Sequence, residues 1–183
     1  ALTKDIYSAK VTVNGYEHTY MYNQKFVDKD QNEDEFNVDV KFGEKFGNKS
    51  FTRAIYPSDV KETQDKDFSV KVVYKITLKN ESGVLYSKIN SLVDYYDSTY
   101  EKNGNCDIRI NENINDTDKD GKLNSTIEFS KSDYNDKYKK LNINTKGISI
   151  GAGETKCIYI QFGLSRTQIA SIINDKSEED RIL

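Results

Sequence analysis

The residues best spaced for chemistry lie in a short acidic segment, residues 115–124. Alternate positions carry aspartate and a glycine follows: Asp116, Asp118, Asp120 and Gly121. Ca²⁺ takes about six to eight oxygen ligands, so alternate carboxylates can converge on it while glycine permits a sharp bend. An EF-hand loop needs an acid at its twelfth position, which here is Ile127. The segment therefore predicts either a Ca²⁺ site outside the EF-hand class or a solvated acidic turn, which Asp, Asn and Gly favour.

The chain contains two cysteines, Cys106 and Cys157. They predict either one disulfide, if the protein is extracellular, or two unpaired thiols. Residues 166–170 read Arg-Thr-Gln-Ile-Ala, which resembles the Thr-Gln-x-Ala motif of thioester-forming surface proteins. The resemblance implies that Gln168 reacts with Cys106 or Cys157 to form an internal thioester. Neither cysteine is flanked by the aromatic-Cys pattern of that family.

The remaining inventory of catalytic groups is small. His18 is the only histidine, so the chain has few of the residues that zinc clusters and Ser-His-Asp triads require. The 30 acidic residues include no pair in a recognisable glycosidase context. We therefore expect a protein that is not an enzyme.

Charge and hydropathy exclude two classes of partner. The net charge is −3, with both signs interspersed and no basic stripe, so nucleic acid is not expected to bind. No apolar run approaches the roughly 20 residues of a membrane span. No leader or sorting tail is visible, so we expect the chain to be an interior part of a longer secreted protein.

Strand signals dominate the rest of the chain. Residues 68–78 place apolar side chains at alternate positions, as a strand with one buried face requires. Residues 7–13 and 16–22 also alternate, and the Asn14-Gly15 pair between them is a strong hairpin signal. Residues 157–164 are almost continuously apolar, which fits a central strand covered on both faces. We predict an all-β fold, an antiparallel Greek-key sandwich of about nine to eleven strands with extra N-terminal strands.

The division into domains and two segments stay open at this point. The length fits one domain over residues 1–183, or an N-terminal β subdomain at 1–62 followed by a sandwich domain at 63–183. Residues 131–140 fit a short helical turn or a loop. Residues 167–175 place Ile169, Ile172 and Ile173 on one helical face but could equally form a strand.

Three stretches resemble strands of the Ig-like repeats in cell-wall-anchored proteins of Clostridium and its relatives. They are residues 73–82, 92–97 and 148–160, with Ala152 where proline is usual in the last. A 23 to 4 excess of Lys over Arg agrees with a low-GC Gram-positive source. The resemblance implies an Ig-like structural or adhesive module, extracellular and attached to the cell wall. Its partners would be neighbouring domains and a host protein or glycan, and Ca²⁺-dependent binding of such a ligand is the alternative.

The same resemblance implies a possible internal crosslink. Some of these repeats carry an isopeptide bond between a lysine and an asparagine, promoted by a buried acid. Lys4 or Lys10 on the first strand and Asn174 near the last strand are the candidate positions. The alternative is that these lysines are surface residues and the asparagine belongs to a loop.

Overall fold

The computed structural model describes residues 1–13, 16–22, 25–27, 33–34, 40–42, 53–55, 69–83 and 87–175. These residues are mostly β-strands in antiparallel sheets, with very little helix, so the all-β prediction is confirmed. Phe68, the first residue of the predicted stripe, and the Asn14-Gly15 turn lie outside the described residues.

The described part of the chain contains fourteen strands, a short 3-10 turn and one α-helix. The first six strands are β1 (Leu2–Val13), β2 (Tyr16–Tyr22), β3 (Lys25–Val27), β4 (Glu33–Asp34), β5 (Val40–Phe42) and β6 (Arg53–Ile55). The next four are β7 (Ser69–Lys79), β8 (Ser87–Lys88), β9 (Leu92–Asp97) and, after the 3-10 turn Ser98–Glu101, β10 (Asp107–Asn111). The last elements are β11 (Phe129–Asp133), β12 (Tyr138–Ile143), β13 (Ser149–Ile150), β14 (Thr155–Ser165) and α1 (Arg166–Asp175).

The strands form four sheets. The largest has the order β10-β14-β7-β1-β2-β3-β4, and a three-stranded sheet has the order β11-β12-β9. β1 and β2 pair antiparallel with Val13 opposite Tyr16, which confirms the predicted hairpin. β13 pairs with β8, while β5 and β6 form a parallel pair. The prediction of purely antiparallel pairing is therefore wrong for β5 and β6, because alternation along a strand specifies its faces and not its direction.

Burial along β7 and β14 follows the predicted patterns. On β7, Val70, Val72, Ile76 and Leu78 are buried, and so is Val73 on the opposite face. On β14 the consecutive side chains at 160–162 are all buried. Each strand has a hydrogen-bonded neighbour at both edges, and the burial of consecutive side chains, which point to opposite faces, shows that both faces are covered there. The prediction of a central, doubly covered strand at residues 157–164 is confirmed.

The chain separates into two compact units, each assembled from three segments. The first consists of residues 1–5, 74–98 and 108–161, and the second of residues 6–73, 99–107 and 162–183. Buried residues of the first unit include Leu92, Ile110, Leu123, Leu141, Ile150, Ile158 and Ile160. Those of the second include Val70, Val72, Tyr100, Phe162, Leu164 and Ile169. The choice between one domain over 1–183 and the split at 62 and 63 stays a prediction.

Residues 167–175, for which the sequence predicted either a helix or a strand, form a helix. Ile169 and Ile172 on α1 are buried, as the helical spacing requires. Ser165 precedes the helix, and its backbone N–H donates to Gln168 Oε1 at 2.8 Å while Gln168 N–H donates to Ser165 Oγ at 3.4 Å. This reciprocal pair is a capping box, which satisfies two backbone donors at the start of a helix.

Residues 131–140 are also resolved: the predicted helical turn is wrong, and the predicted loop is limited to residues 134–137. They form the end of β11, a turn and the start of β12. The Asn135 side-chain oxygen accepts hydrogen bonds from the backbone N–H groups of Lys137 and Tyr138, at 2.9 and 2.8 Å. Asparagine commonly closes turns in this way, so the polar run is a hairpin tip.

Candidate functional site

The predicted acidic segment belongs to a loop between β10 and β11, and we call residues 111–124 the acidic loop. Its backbone closes on itself as a small antiparallel hairpin. Thr117 is bridged to Leu123, and Asp118 N–H donates to Lys122 O at 2.8 Å. Gly121 has a φ of 73°, a left-handed conformation that glycine adopts without strain. The loop therefore has a defined conformation that its own backbone hydrogen bonds maintain.

Asp116 is held by two side-chain amides. Asn124 Nδ2 donates to Asp116 Oδ1 at 2.8 Å, and Asn111 Nδ2 donates to Asp116 Oδ2 at 3.0 Å. These two hydrogen bonds, with Asn124 the larger cause, lower the pKa of Asp116, because both stabilise the charged carboxylate. Each Asp116 oxygen is thus engaged with a donor from the loop itself.

Asp118 is held by the backbone and by one cation. Its Oδ1 accepts from the N–H groups of Lys122 and Asp120, both at 2.9 Å. Arg109 on β10 donates to Asp118 Oδ2 at 3.2 Å. The pKa of Asp118 is lowered, chiefly by the Lys122 N–H; burial opposes the change, while the Asp120 N–H and the Arg109 charge add to it. The loop is therefore braced at Asp118 by a cation on the neighbouring strand.

The acidic loop is also anchored in the core. Leu123 is fully buried, and its N–H donates to the side-chain oxygen of Gln161 on β14 at 3.0 Å. Gln161 is itself buried, so this hydrogen bond forms away from water. A buried amide left without a partner costs about 1–3 kcal/mol, so this contact fixes the position of the loop.

The arrangement does not resemble a formed Ca²⁺ site. Asp116 and Asp118 are engaged with amide donors and an arginine, and Asp120 is exposed. Among the described residues, no three His, Cys, Asp or Glu side chains are grouped closely enough to hold a metal ion. Ca²⁺ needs several converging oxygens, so the loop would have to exchange these hydrogen bonds for the ion. A Ca²⁺ site at Asp116, Asp118 and Asp120 stays a prediction.

The two cysteines are both free, so the predicted disulfide is wrong and the alternative of two unpaired thiols is confirmed. Cys106 is buried and its Sγ donates to Gly163 O on β14 at 3.4 Å. Cys157 lies on β14 itself, with its Sγ 3.9 Å from Thr77 Oγ1 on β7. Gly163 is six residues beyond Cys157, which corresponds to about 20 Å of strand. A disulfide needs Cα atoms within about 7 Å.

Gln168 of the predicted thioester motif has a structural role at the start of α1. Besides completing the capping box, its Nε2 donates to Asn105 O at 3.2 Å and Gly104 O at 3.4 Å. The structure thus brings the Gln168 carboxamide to the two residues that precede Cys106. Helix capping and loop anchoring account for this position, and a thioester stays a prediction.

The crosslink candidates are placed differently from one another. Lys4 Nζ lies 2.6 Å from Asp94 Oδ1 and 4.4 Å from the centre of the Tyr74 ring. Lys10 lies on β1 opposite Thr19 of β2, and Asn174 lies on α1 instead of a strand. The partner of Lys4 is therefore a buried aspartate that the sequence reasoning missed. The sequence feature that could have indicated Asp94 is an acidic residue at an inward position of the alternating strand at residues 92–97.

The three-stranded sheet carries an exposed aromatic cluster that the sequence reasoning also missed. We call Tyr95, Tyr134, Tyr138 and Lys140 the tyrosine face. Its tyrosine side chains are 45%, 55% and 45% exposed, respectively. Lys140 of β12 is opposite Tyr95 of β9, and Tyr138 is opposite Asp97. The rings of Tyr95 and Tyr134 have centroids 4.8 Å apart and planes inclined by 56°.

The chain was compared with protein-family models, curated proteins and solved structures, and no match was found. The resemblance to Ig-like repeats therefore depends on the three motifs alone. In the described part of the chain, no helix has the length and apolar character that crossing a membrane requires.

Proposed function

We propose that this chain is an adhesive module of an extracellular, cell-wall-attached protein of a Gram-positive bacterium. In this proposal it is an Ig-like Greek-key sandwich without catalytic activity. It connects neighbouring domains of the same protein and presents a binding face to a host protein or glycan. The observation that carries the proposal is the tyrosine face.

Exposed aromatic clusters of this kind are characteristic of binding surfaces. Tyrosine is enriched at interfaces because it offers a large rigid apolar ring together with a hydroxyl that stays hydrated. Four large hydrophobic side chains are exposed among the residues whose side-chain burial the structure describes; three belong to the tyrosine face and the fourth is Leu2. Their concentration on one sheet and its β11–β12 turn favours a binding role, whereas scattered exposed residues would need no explanation.

The support under the tyrosine face is rigid, as a binding site requires. Leu92 and Tyr96 of β9 and Leu141 and Ile143 of β12 are buried on the opposite face of the sheet. β9 and β12 pair over six consecutive positions, from Leu92 opposite Ile143 to Asp97 opposite Tyr138. A site on paired strands loses little conformational entropy when a ligand binds.

The acidic loop has a structural role in this proposal. Asp116 is engaged by Asn111 and Asn124 and Asp118 by Arg109, and these contacts brace the connection between β10 and β11. Binding at the tyrosine face therefore does not require Ca²⁺.

Adhesion of coated beads tests the proposal. Beads carrying the chain are expected to adhere to mammalian epithelial cells and to immobilised extracellular matrix above the level of uncoated beads. The double variant Tyr95→Ser/Tyr134→Ser should lower adhesion by about tenfold, because central aromatic residues dominate binding energies. Leu2→Ser is the matched control, since it removes an equally exposed apolar side chain elsewhere. Adhesion no greater than that of uncoated beads on every surface would contradict the proposal.

A further inference from the structure

We propose that the ligand of the tyrosine face is an acidic saccharide, a chain of pyranose rings bearing carboxylate or sulfate groups. This inference rests on the proposed adhesive function and specifies its ligand class. It is argued from the area of the face, the geometry of its rings and the charge of Lys140.

The exposed aromatic area fits a saccharide better than a protein. Three tyrosines that are about half exposed present roughly 100 Å² each, or about 300 Å² together. A stable protein interface needs about 800 Å² per partner. The outward neighbours of the rings are polar, including Asn142 and Ser132, whose side chains are hydrogen-bonded at 3.1 Å. The aromatic patch is therefore well below the area of a whole protein interface, and it matches the area of a few sugar rings.

The ring geometry offers a stacking surface. Tyr95 and Tyr134 are tilted by 56° with centroids 4.8 Å apart, so the two rings are not stacked face to face on each other. Aromatic ring faces carry negative charge density, which attracts the weakly positive C–H groups of a pyranose. The hydroxyls of tyrosine and the polar groups of Asn142 and Ser132 are available for the sugar hydroxyls. The tyrosine face thus offers both apolar and hydrogen-bonding contacts over an area that matches a few sugar rings.

Lys140 adds a preference for negative charge. Its Nζ lies 5.6 Å from the centre of the Tyr134 ring, and it makes no ion pair with any described residue. Lys139 differs, since its side chain projects from the opposite face of β12 and pairs with Asp133 at 3.4 Å. The Lys140 ammonium, with no carboxylate partner among the described residues and close to the Tyr134 ring, complements an anionic substituent on the stacked sugar. Asp97, opposite Tyr138, would repel a second anion, so one acidic group per binding site is expected.

Calorimetry with three probes tests the ligand class. Hyaluronan octasaccharide supplies carboxylates, heparin octasaccharide supplies sulfates as well, and chitohexaose is neutral. At least one acidic probe is expected to bind at least about tenfold more tightly than chitohexaose. Tyr134→Ser should weaken this binding about tenfold or more. Lys140→Gln should weaken it about fivefold and remove most of the preference over chitohexaose.

The matched control is Lys146→Gln, which removes an exposed charge in a turn away from the tyrosine face. It should leave the affinity for every probe unchanged. An equal loss in Lys140→Gln and Lys146→Gln would show attraction by overall charge and would overturn the inference. Unchanged melting temperatures are expected for all variants, because each substitution is on the surface.

Two results separate this inference from the proposed function. No heat with any probe at about 1 mM would overturn the saccharide inference, since that affinity corresponds to only about 4 kcal/mol. If the coated beads still adhere under those conditions, and Tyr95→Ser/Tyr134→Ser still lowers adhesion about tenfold, the adhesive function stands with a protein ligand. If the beads fail to adhere as well, both proposals fail.

Discussion

The Lys4–Asp94 ion pair leads to a quantitative prediction of how much a contact of β1 contributes to the free energy of unfolding. Asp94 is only 6% exposed, and its Oδ2 meets no hydrogen-bond donor from the described residues. The Lys4 ammonium at 2.6 Å from Oδ1 is therefore the main compensation for this buried carboxylate. Lys4→Met keeps the length and apolar stem of the side chain but removes the charge. It leaves a buried carboxylate without its counter-ion.

The expected cost follows from burial. Breaking a fully buried pair costs about 3–5 kcal/mol. The Lys4 side chain is 34% exposed, so water screens part of the interaction and about 2 kcal/mol is expected. Asp94→Asn should cost about 1 kcal/mol, because the partly solvated ammonium regains water and keeps its contact with Tyr74. The double variant should cost about 1.5 kcal/mol, less than the sum, which gives a coupling energy of about 1.5 kcal/mol.

Urea unfolding of the four proteins at pH 7 measures these values, with Lys146→Met as the control for loss of an exposed lysine. The control should change the free energy of unfolding by less than about 0.5 kcal/mol. A cost below about 0.5 kcal/mol for Lys4→Met, or additive effects in the double variant, would refute the assigned role of the pair. Intact mass is measured in parallel, since an amide between Lys4 and Asp94 would lower the mass by one water, about 18 Da. The full mass is expected, because the pair is assigned as ionic.

Three further predictions concern the helix cap and the acidic loop. Gln168→Ala should lower the free energy of unfolding by about 2 kcal/mol, because it removes hydrogen bonds to Ser165 and to two loop carbonyls; Thr167→Ala on the exposed side of α1 should change it by less than about 0.5 kcal/mol. The lowered pKa values of Asp116 and Asp118 stabilise the fold above the ordinary aspartate pKa of about 3.9, and this stabilisation is lost as the pH falls through the lowered values. Asp116→Asn should therefore flatten the fall in the urea midpoint below about pH 4, and an unchanged acid profile would contradict this assignment. Adding about 1 mM Ca²⁺ should leave the melting temperature and the calorimetric baseline unchanged, whereas a rise in the melting temperature that a chelator reverses would establish a Ca²⁺ site.

Alternation along a strand was the most reliable signal in the sequence. It identified β7 and the β1–β2 hairpin because the pleat places every second side chain on the same face. A different signal, the nearly continuous apolar run at residues 157–164, identified β14 as a central strand, and the consecutive Ile160, Gln161 and Phe162 are all buried there. Alternation could not distinguish parallel from antiparallel pairing, as the parallel pair β5 and β6 shows.

The tyrosine face and the Lys4–Asp94 pair depend on pairing between distant segments. Tyr95 and Lys140 are adjacent only because β9 and β12 pair in one register, and a shift of one residue would point Lys140 inward. Asp94 and Lys4 are separated by 90 positions in the sequence. Periodicity within a segment indicates which face a residue occupies, but it contains no information about the strand opposite. Such sites require the tertiary structure.

The acidic loop shows why spaced aspartates alone do not identify a metal site. Alternate carboxylates followed by glycine satisfy the requirements of a tight turn equally well, because Asp118 can accept from the N–H groups that the turn exposes. The side-chain amides of Asn111 and Asn124 each donate a hydrogen bond to Asp116, so both of its oxygens have a partner without any ion. The residues that decide between the two interpretations are therefore the flanking asparagines and Arg109, which supply donors where a Ca²⁺ site would supply further oxygens. The proposed function therefore assigns ligand recognition to the exposed aromatic rings and Lys140 and not to the acidic loop.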